Sequence, residues 1–530
     1  MFCKAALGVW FLSATLTVAT AVPALAGPQP GQIVIDPDHP MWLQRYGGRH
    51  VYICGPGDPE DFLYRGQRRP DGTRDGDQDQ LIRKLIENGG NCIYMEIVRS
   101  HGGDGKRDHN PFVDSDPAEG LSDPILTQWE QWFRLMDEHG ILIYLFFYDD
   151  GAKVWDTQDR VGDEEKAFVE GIVQRFKHHR NLIWLVGEES EEAYSHARVV
   201  AIAETIRRAD PFGHEVGNHH LSGTTFKAFV PGGPLTHYAM QCTAPIEKVH
   251  AVAMEAWHKA LGRYQVIYAE DTQCASNEEQ GVRRFIWASA MAGVMPMCLK
   301  MDIARTPPAA LRACRVLQEF FESTDFQTMS PHDELAGDGA LYALADPDRS
   351  YILYAEHNRG GLGALKLPAG RYDLRWLDCV TGKTVEQKGR PVGKDDQVIA
   401  RPEAIGEHCA LWLLRTDAAD TRPATRPAAA ASAPGRSTTQ PRASVAKDLH
   451  LVGKAGEPIA VQLQHVDAGG PGPYNYTIIN PPRHGKLGGS NNDRVYTSNA
   501  GFSGTDSFTW KVHDGRSDSN PATVTLDVAR

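Results

Sequence analysis

Asn181-Leu182-Ile183-Trp184-Leu185-Val186-Gly187-Glu188-Glu189-Ser190 is the stretch on which the fold turns. Leu182 to Val186 are apolar without a break, and the run stops at a glycine and two carboxylates. An unbroken apolar run suits a parallel strand covered on both faces, whereas a strand with one wet face alternates. Carboxylates at the C-terminal end of such a strand stand where a (β/α)8 barrel keeps its chemistry. Adjacent side chains on an extended chain point to opposite sides, so one of Glu188 and Glu189 faces the barrel axis and the other does not.

The same pattern recurs downstream as Gln265-Val266-Ile267-Tyr268-Ala269-Glu270-Asp271. Further strand candidates are His50–Cys54, Asn91–Val98, Ile141–Tyr148, Glu215–His219, Thr236–Cys242 and Val294–Leu299. Amphipathic stretches separate them: 77–88, which stops at Gly89-Gly90, 122–139, which opens Ser-Asp-Pro and stops at Gly140, then 163–179, 193–209, 245–260, 277–292 and 308–323. Between the fifth and sixth strands only a short helix over 224–230 is expected. This alternation predicts an α/β fold, a (β/α)8 TIM barrel over residues 27–329. The rival is a doubly wound open sheet, which wants a glycine-rich phosphate loop after its first strand. Cys54-Gly55-Pro56-Gly57-Asp58 is too short for one, and its proline interrupts the cradle of N–H groups.

Beyond residue 330 the period changes. Short strands with turn residues between them (341–345, 351–357, 363–367, 372–378, 397–400, 409–414) predict an all-β sandwich over 330–415. Residues 416–447 are rich in Ala, Pro, Thr, Arg and Ser, cannot bury a core, and are expected to form a linker. A second all-β sandwich is expected over 448–530, where 506–512 and 522–528 alternate with period two. At the other end, Lys4, the apolar run from Leu7 to Val18 and Val22-Pro23-Ala24-Leu25-Ala26 predict a signal peptide over 1–26, cut after Ala26, and hence a secreted protein with no membrane span.

The 530 residues carry a formal net charge of −13, which disfavours nucleic acid as a partner. Cysteines are widely and irregularly spaced with no CxxC pair, so no zinc–thiolate site is expected. Cys92, Cys242 and Cys298 read as buried free thiols, while Cys379 and Cys409 share one β-rich segment and are candidates for a bridge. There is no His-Glu-x-x-His; His214-Glu215-Val216-Gly217-Asn218 fails at its last position. The adjacent pairs His178-His179 and His219-His220 are expected to point apart, so no metal and no cofactor is predicted. Nor is there a Gly-x-Ser-x-Gly elbow.

Two carboxylates facing each other across a barrel mouth are the equipment of glycoside hydrolysis, one as acid/base and one as nucleophile or activator of water. The bland alternative for each is a helix cap or a solvated loop charge. The strand-four and strand-seven pattern resembles clan A glycoside hydrolases. More narrowly, Trp184-Leu185-Val186-Gly187-Glu188-Glu189 resembles the strand-four motif of the apiosidase-like and related glycoside hydrolases, in which a small β-sandwich follows the barrel. That resemblance covers about residues 30–415 and implies Glu189 as acid/base and Glu270 as nucleophile, with Asp271 the lesser choice. It departs from the wider clan in having Glu188 where an Asn is usual, so either Glu188 takes over that substrate contact or the substrate differs. Tyr148, Asp149, Trp155, His219 and His220, at or after strand ends, and Tyr238, near the start of strand six, are further candidates to hold a carbohydrate substrate, as are Glu96, Arg99, His237, Lys300 and Asp302. Asp36-Pro37-Asp38-His39 reads as a merely polar loop.

The segment after the barrel resembles a domain named for collagen binding in a collagenase, here expected to brace the barrel. The last domain resembles bacterial cadherin-like or Ig-like modules, through Asn480-Pro481-Pro482-Arg483-His484-Gly485-Lys486-Leu487 and Gly501-Phe502-Ser503-Gly504-Thr505-Asp506-Ser507-Phe508. Such a module can contact glycan or a cell surface. The expectation is a secreted, retaining glycoside hydrolase of polysaccharide or oligosaccharide. The alternative is a non-catalytic glycan-binding or adhesive surface protein.

Overall fold

The computed structural model describes residues 27–55, 57, 61–220, 223–260, 262–270, 278–298, 301–347, 349–393, 398–417, 445–447, 449–463, 465–466, 475–490, 492–513 and 519–529. The signal-peptide segment, almost all of the linker, Asp271 and Lys300 lie outside these residues.

The chain opens with a small antiparallel sheet of β1 (Ile33–Ile35), β2 (Leu43–Arg45) and β3 (His50–Val51). The central sheet has seven strands in sequence order, every neighbouring pair parallel: β4 (Cys92–Val98), β5 (Leu142–Tyr148), β6 (Leu182–Gly187), β7 (Val216–His220), β8 (His237–Met240), β9 (Gln265–Glu270) and β10 (Met295–Cys298). Every residue of β4, β5 and β6 is buried, as strands covered on both faces require. The expected first strand departs from prediction. His50 and Val51 pair antiparallel with β2, and beyond them Gly55 bridges Met297 of β10 while Gly57 bridges Ile93 of β4, both in parallel sense. Gly55 is needed there, because a Cβ on it would fall 2.0 Å from Cys92 Sγ.

Among the described residues seven helices alternate with the strands: α1 (Gln78–Asn88), α2 (Asp123–Glu138), α3 (Asp163–Phe176), α4 (His196–Ala209), α5 (Ile246–Ala260), α6 (Glu279–Met291) and α7 (Pro308–Glu322). The logic of α2 is typical. Proline stands in its first turn, Ile125, Leu126, Trp129, Trp132, Phe133 and Met136 bury one face, and Gly140 leaves it at φ +72°. The short helix expected between β7 and β8 does not form: residues 223–236 make turns, broken by Gly223, Pro231, Gly232, Gly233 and Pro234. The result is a TIM-like α/β domain. Among the described residues no helix is long and apolar enough to cross a membrane.

The following β-rich region holds a six-stranded antiparallel sheet ordered β11-β12-β13-β18-β15-β16, from β11 (Ser330–Pro331), β12 (Tyr342–Asp346), β13 (Ser350–Ala355), β15 (Gly370–Asp378), β16 (Thr384–Val392) and β18 (Cys409–Arg415). A separate pair joins β14 (Gly361–Gly363) to β17 (Val398–Ala400). The edge strand β16, Thr-Val-Glu-Gln-Lys-Gly-Arg-Pro-Val, is largely polar and carries Pro391, so it offered no apolar signal. Alternate residues of β13 serve two cores. Ile352 and Tyr354 join the core of the TIM-like domain, whereas Tyr351, Leu353 and Ala355 face a second core with Leu374, Trp376 and Leu411. Trp287 of α6 stacks on Tyr354 at 4.9 Å, and His250 of α5 stacks on Tyr342 at 3.6 Å. Cys379 and Cys409 are both buried free thiols, so no bridge joins them.

The C-terminal unit is built from β19 (Val445–Ala446), β20 (Leu449–Lys454), β21 (Ile459–Gln462), β22 (His465–Val466), β23 (Asn475–Asn480), β24 (Gly485–Ser490), β25 (Asp493–Ser498), β26 (Gly504–His513) and β27 (Ala522–Ala529). A four-stranded sheet, β20-β27-β26-β23, and a three-stranded one, β21-β25-β24, enclose Tyr496, Phe508, Trp510, Val524 and Leu526. The buried Asp506 accepts from Tyr496 Oη at 2.9 Å and from the His484 and Arg483 N–H groups, tying the 481–484 turn to β26.

Candidate active site

The site begins where β6 ends. Glu188 N–H still donates to Tyr148 O at 2.9 Å, so the chain is extended up to that point. At Glu189 the backbone enters the left-handed region, φ 36° and ψ 43°, and leaves the sheet for a short turn over Ser190–Glu192. Asn218 Nδ2 holds Ser190 Oγ at 2.8 Å, fixing that turn. Of six non-glycine residues with positive φ among the described residues, five (His101, Asp114, Ser115, Gln158 and Glu189) lie in the loops after β4, β5 and β6. Backbone strain is thus concentrated at the C-terminal end of the sheet, as at functional sites.

The two carboxylates diverge as the strand geometry requires. Glu188 is buried, its carboxylate 3.5 Å from His219 Nδ1 and grouped with those of Asp149 and Asp150, with ligand oxygens within 4.8 Å of one another. Glu189 is only partly buried and groups with Asp150 and Glu192. Its N–H donates to His219 Nδ1 at 3.2 Å, which fixes the His219 proton on Nε2. Burial, reinforced by His220, brings the His219 pKa down to about 3, so the approach to Glu188 is not an ion pair at neutral pH. His219 Nε2 is buried and has no hydrogen-bond partner among the described residues. His220 points to the other side: its Nδ1 contacts Glu191 Oε1, its ring stacks on Tyr238 at 4.9 Å, and its Nε2 is also buried without a partner among the described residues.

Asp149 accepts from Arg99 Nε at 3.1 Å and from Asp104 N–H at 3.0 Å, and Arg99 also lies 3.7 Å from Glu96. Asp150 sits among like charges: burial first, then Asp104, raises its carboxyl above the ordinary range. The loops after β4, β5 and β6 meet here, with Gly102 O and Glu192 Oε2 against the space beside Gly151. An open groove of about 830 Å³ lined by Ser100, His101, Arg107, Asp114, Asp116 and Glu119 lies in the first of them.

Four of the expected substrate contacts pack into the walls. Tyr148 is wholly buried and donates to Glu165 Oε1 at 2.8 Å, beneath a bidentate Arg198–Glu165 pair, so it faces the helix layer. Alternation along β5 explains this, because Asp149 takes the opposite side. Tyr238 lies in a stack between His220 and Phe226 and donates to Gly223 O at 3.2 Å. Trp155 packs on Phe168 and Phe112 while its Nε1 donates to Glu164 at 3.1 Å. His237 is buried against Tyr144 Oη at 3.0 Å. Glu270 closes β9 in register with Cys298; its side chain lies outside the described residues. Sequence reasoning missed Glu191 and Glu192, whose only signal was an acidic run after Ser190.

Four groups of side chains among the described residues bring three potential metal-ligand atoms together: the two at the mouth, Asp36 with His39 and His50, and Glu130 with His178 and His179. The last corrects the expectation that His178 and His179 point apart. They occupy a turn, where side chains do not alternate.

Residues 72–297 match the family described as apiosidase-like, catalytic domain, and residues 439–527 match the bacterial Ig domain. None of the curated proteins matches the sequence. Among solved structures, a candidate glycoside hydrolase from Bacteroides vulgatus ATCC 8482 is 15% identical with a TM-score of 0.54, over 73% of this chain and 83% of that one. A family 5 glycoside hydrolase from the same organism is 14% identical at a TM-score of 0.53, over 75% and 97%. A third, described as a glycoside hydrolase, is 14% identical at 0.53, over 73% and 98%. At such identities these structures speak for the fold alone, and the sequence match adds the chemistry. Over residues 72–297 the TIM-like domain is therefore a glycoside-hydrolase catalytic domain similar to the apiosidase-like family, and residues 439–527 of the same chain are similar to the bacterial Ig domain.

Proposed function

We propose that the chain is an exported, retaining glycoside hydrolase acting on a polysaccharide or oligosaccharide. Residues 1–26 direct export, 27–329 form a closed (β/α)8 barrel, 330–415 and 448–530 are β-sandwiches, and 416–447 link them. The segment bridged through Gly55 and Gly57 to β10 and β4 is the eighth barrel strand. The observation that carries the reading is Glu189. It is strained, partly exposed, held by His219 through its N–H, and three strands away from the carboxylate-ended β9.

Glu189 protonates the glycosidic oxygen as the bond to the anomeric carbon breaks, and Glu270 attacks that carbon to form a glycosyl ester. Glu189 then takes a proton from water as its oxygen attacks the same carbon, releasing Glu270. Glu188, buried in the Asp149 and Asp150 group, is better placed to bind a sugar hydroxyl than to deliver a proton. Retention calls for carboxyl groups about 5–5.5 Å apart. The test is product release from a broad panel of plant, algal and microbial glycans, with Glu270→Gln and Glu189→Gln chains alongside and the product anomer read by NMR. Release by Glu270→Gln at the native rate would remove Glu270 as nucleophile, and an inverted anomer would replace the ester by direct attack of water. Tight binding without turnover would favour a glycan-binding protein.

A further inference from the structure

Away from the mouth, Glu130 of α2 receives two imidazoles on its two oxygens. His178 Nε2 lies 3.0 Å from Oε1 and His179 Nε2 3.4 Å from Oε2. The rings of these consecutive residues lie face to face, centroids 4.2 Å apart and tilted by 36°. His179 is buried, pressed against Phe133 and Phe176, and its carbonyl accepts from His214 Nε2 at 2.8 Å, so its backbone is pinned. His178 is half exposed and opens the site to solvent.

We propose that Glu130, His178 and His179 form a binding site for a divalent transition-metal ion of the zinc type, clasping α2 to the turn that leads into β6. Metal–nitrogen bonds of about 2.0–2.1 Å put ligand atoms of one metal about 2.9–3.4 Å apart and two ring centroids about 4.5–5.2 Å apart, for angles between about 90° and 109°. The observed N···O spacings lie inside that window, and the rings need open by only a few tenths of an ångström. The same test excludes the other histidine-bearing group. His39 Nδ1 and His50 Nε2 both donate to Asp36 Oδ2, at 2.8 and 2.7 Å, but their centroids are 6.5 Å apart. Even collinear imidazoles on one metal reach only about 6.4 Å. That group is a carboxylate shared by two N–H donors.

Imidazole with one carboxylate suits zinc, copper or nickel over calcium or magnesium. The remaining coordination positions fall to water on the exposed His178 side. Arg134 Nη2, 3.6 Å from Glu130 Oε1, is the cation that the metal would displace, and it is itself largely exposed.

The test uses the untagged full chain, stripped with a chelator and titrated with Zn²⁺ against a chromophoric competitor. One equivalent should bind and raise the melting temperature by several degrees. His178→Gln and Glu130→Gln should each weaken binding at least tenfold, and His178→Gln should melt like the native chain without metal. His50→Gln should leave binding unchanged. A native chain that takes up no zinc, a His178→Gln chain that holds it as tightly, or a loss confined to His50→Gln overturns the site. None of these readouts depends on glycan turnover.

Discussion

The chain contains two His-His dipeptides, and they behave in opposite ways. His219-His220 ends a strand, and its rings part: one supports the Glu189 N–H, the other reaches Glu191 and Tyr238. His178-His179 occupies a turn, and its rings converge on one carboxylate. Backbone conformation, not residue identity, decides whether neighbouring imidazoles share a partner. The surroundings differ in the same sense. At the mouth, polar atoms such as His219 Nε2 and His220 Nε2 are buried without partners among the described residues. At the opposite end, Asp210 is saturated. Its Oδ2 takes the His214 imidazole at 2.7 Å and the Trp184 indole N–H at 3.0 Å, and its Oδ1 takes Phe212 N–H. Asp210 has the surroundings of a scaffold group, and the partly exposed Glu189 those of a working one.

This contrast can be broken by mutation. Glu189→Gln should lower kcat/KM by about 10²–10⁴, with the melting temperature almost unmoved; equal losses of both would erase the distinction. Asp210→Asn should do the reverse, costing about 3–5 kcal/mol in urea unfolding as a buried pair is broken, with activity per folded molecule retained. Burial alone would raise the Asp210 pKa, but His214, Trp184 and the Phe212 N–H bring it below the ordinary carboxylate value. A depressed folded pKa gives stability that is complete above the unfolded value and lost as pH falls through the folded one. The gap between native and Asp210→Asn should therefore narrow below about pH 4. Gly55→Ala should cost about 1–3 kcal/mol by overpacking against Cys92. The smallest effect is a null one. Because His219 is neutral down to about pH 3, His219→Gln should not move the acid limb of the kcat/KM–pH profile.

Much of this was legible in sequence where burial on both faces wrote continuous apolar runs, as in Ile141–Tyr148 and Leu182–Val186. The carboxylates at strand ends were legible for the same reason, since the run that announces the strand also marks its end. What stayed hidden depended on contacts with no periodic trace. Tyr148 reads like a mouth residue until Glu165 and Arg198 are placed behind it. The polar loop Asp36-Pro37-Asp38-His39 acquires meaning only when His50 folds onto Asp36. Polar β16 pairs at a sheet edge without an apolar face to advertise it.

The stacking of Trp287 on Tyr354, with Leu344, Ile352, Ala410 and Trp412 in the same buried cluster, means that the TIM-like domain does not end where its last helix does. Its hydrophobic interior runs on into the following sheet. A chain cut at residue 329 would present that interior to water and should aggregate or melt early. The smallest soluble catalytic fragment should extend through Arg415, and over that length heating should meet one cooperative transition, not two.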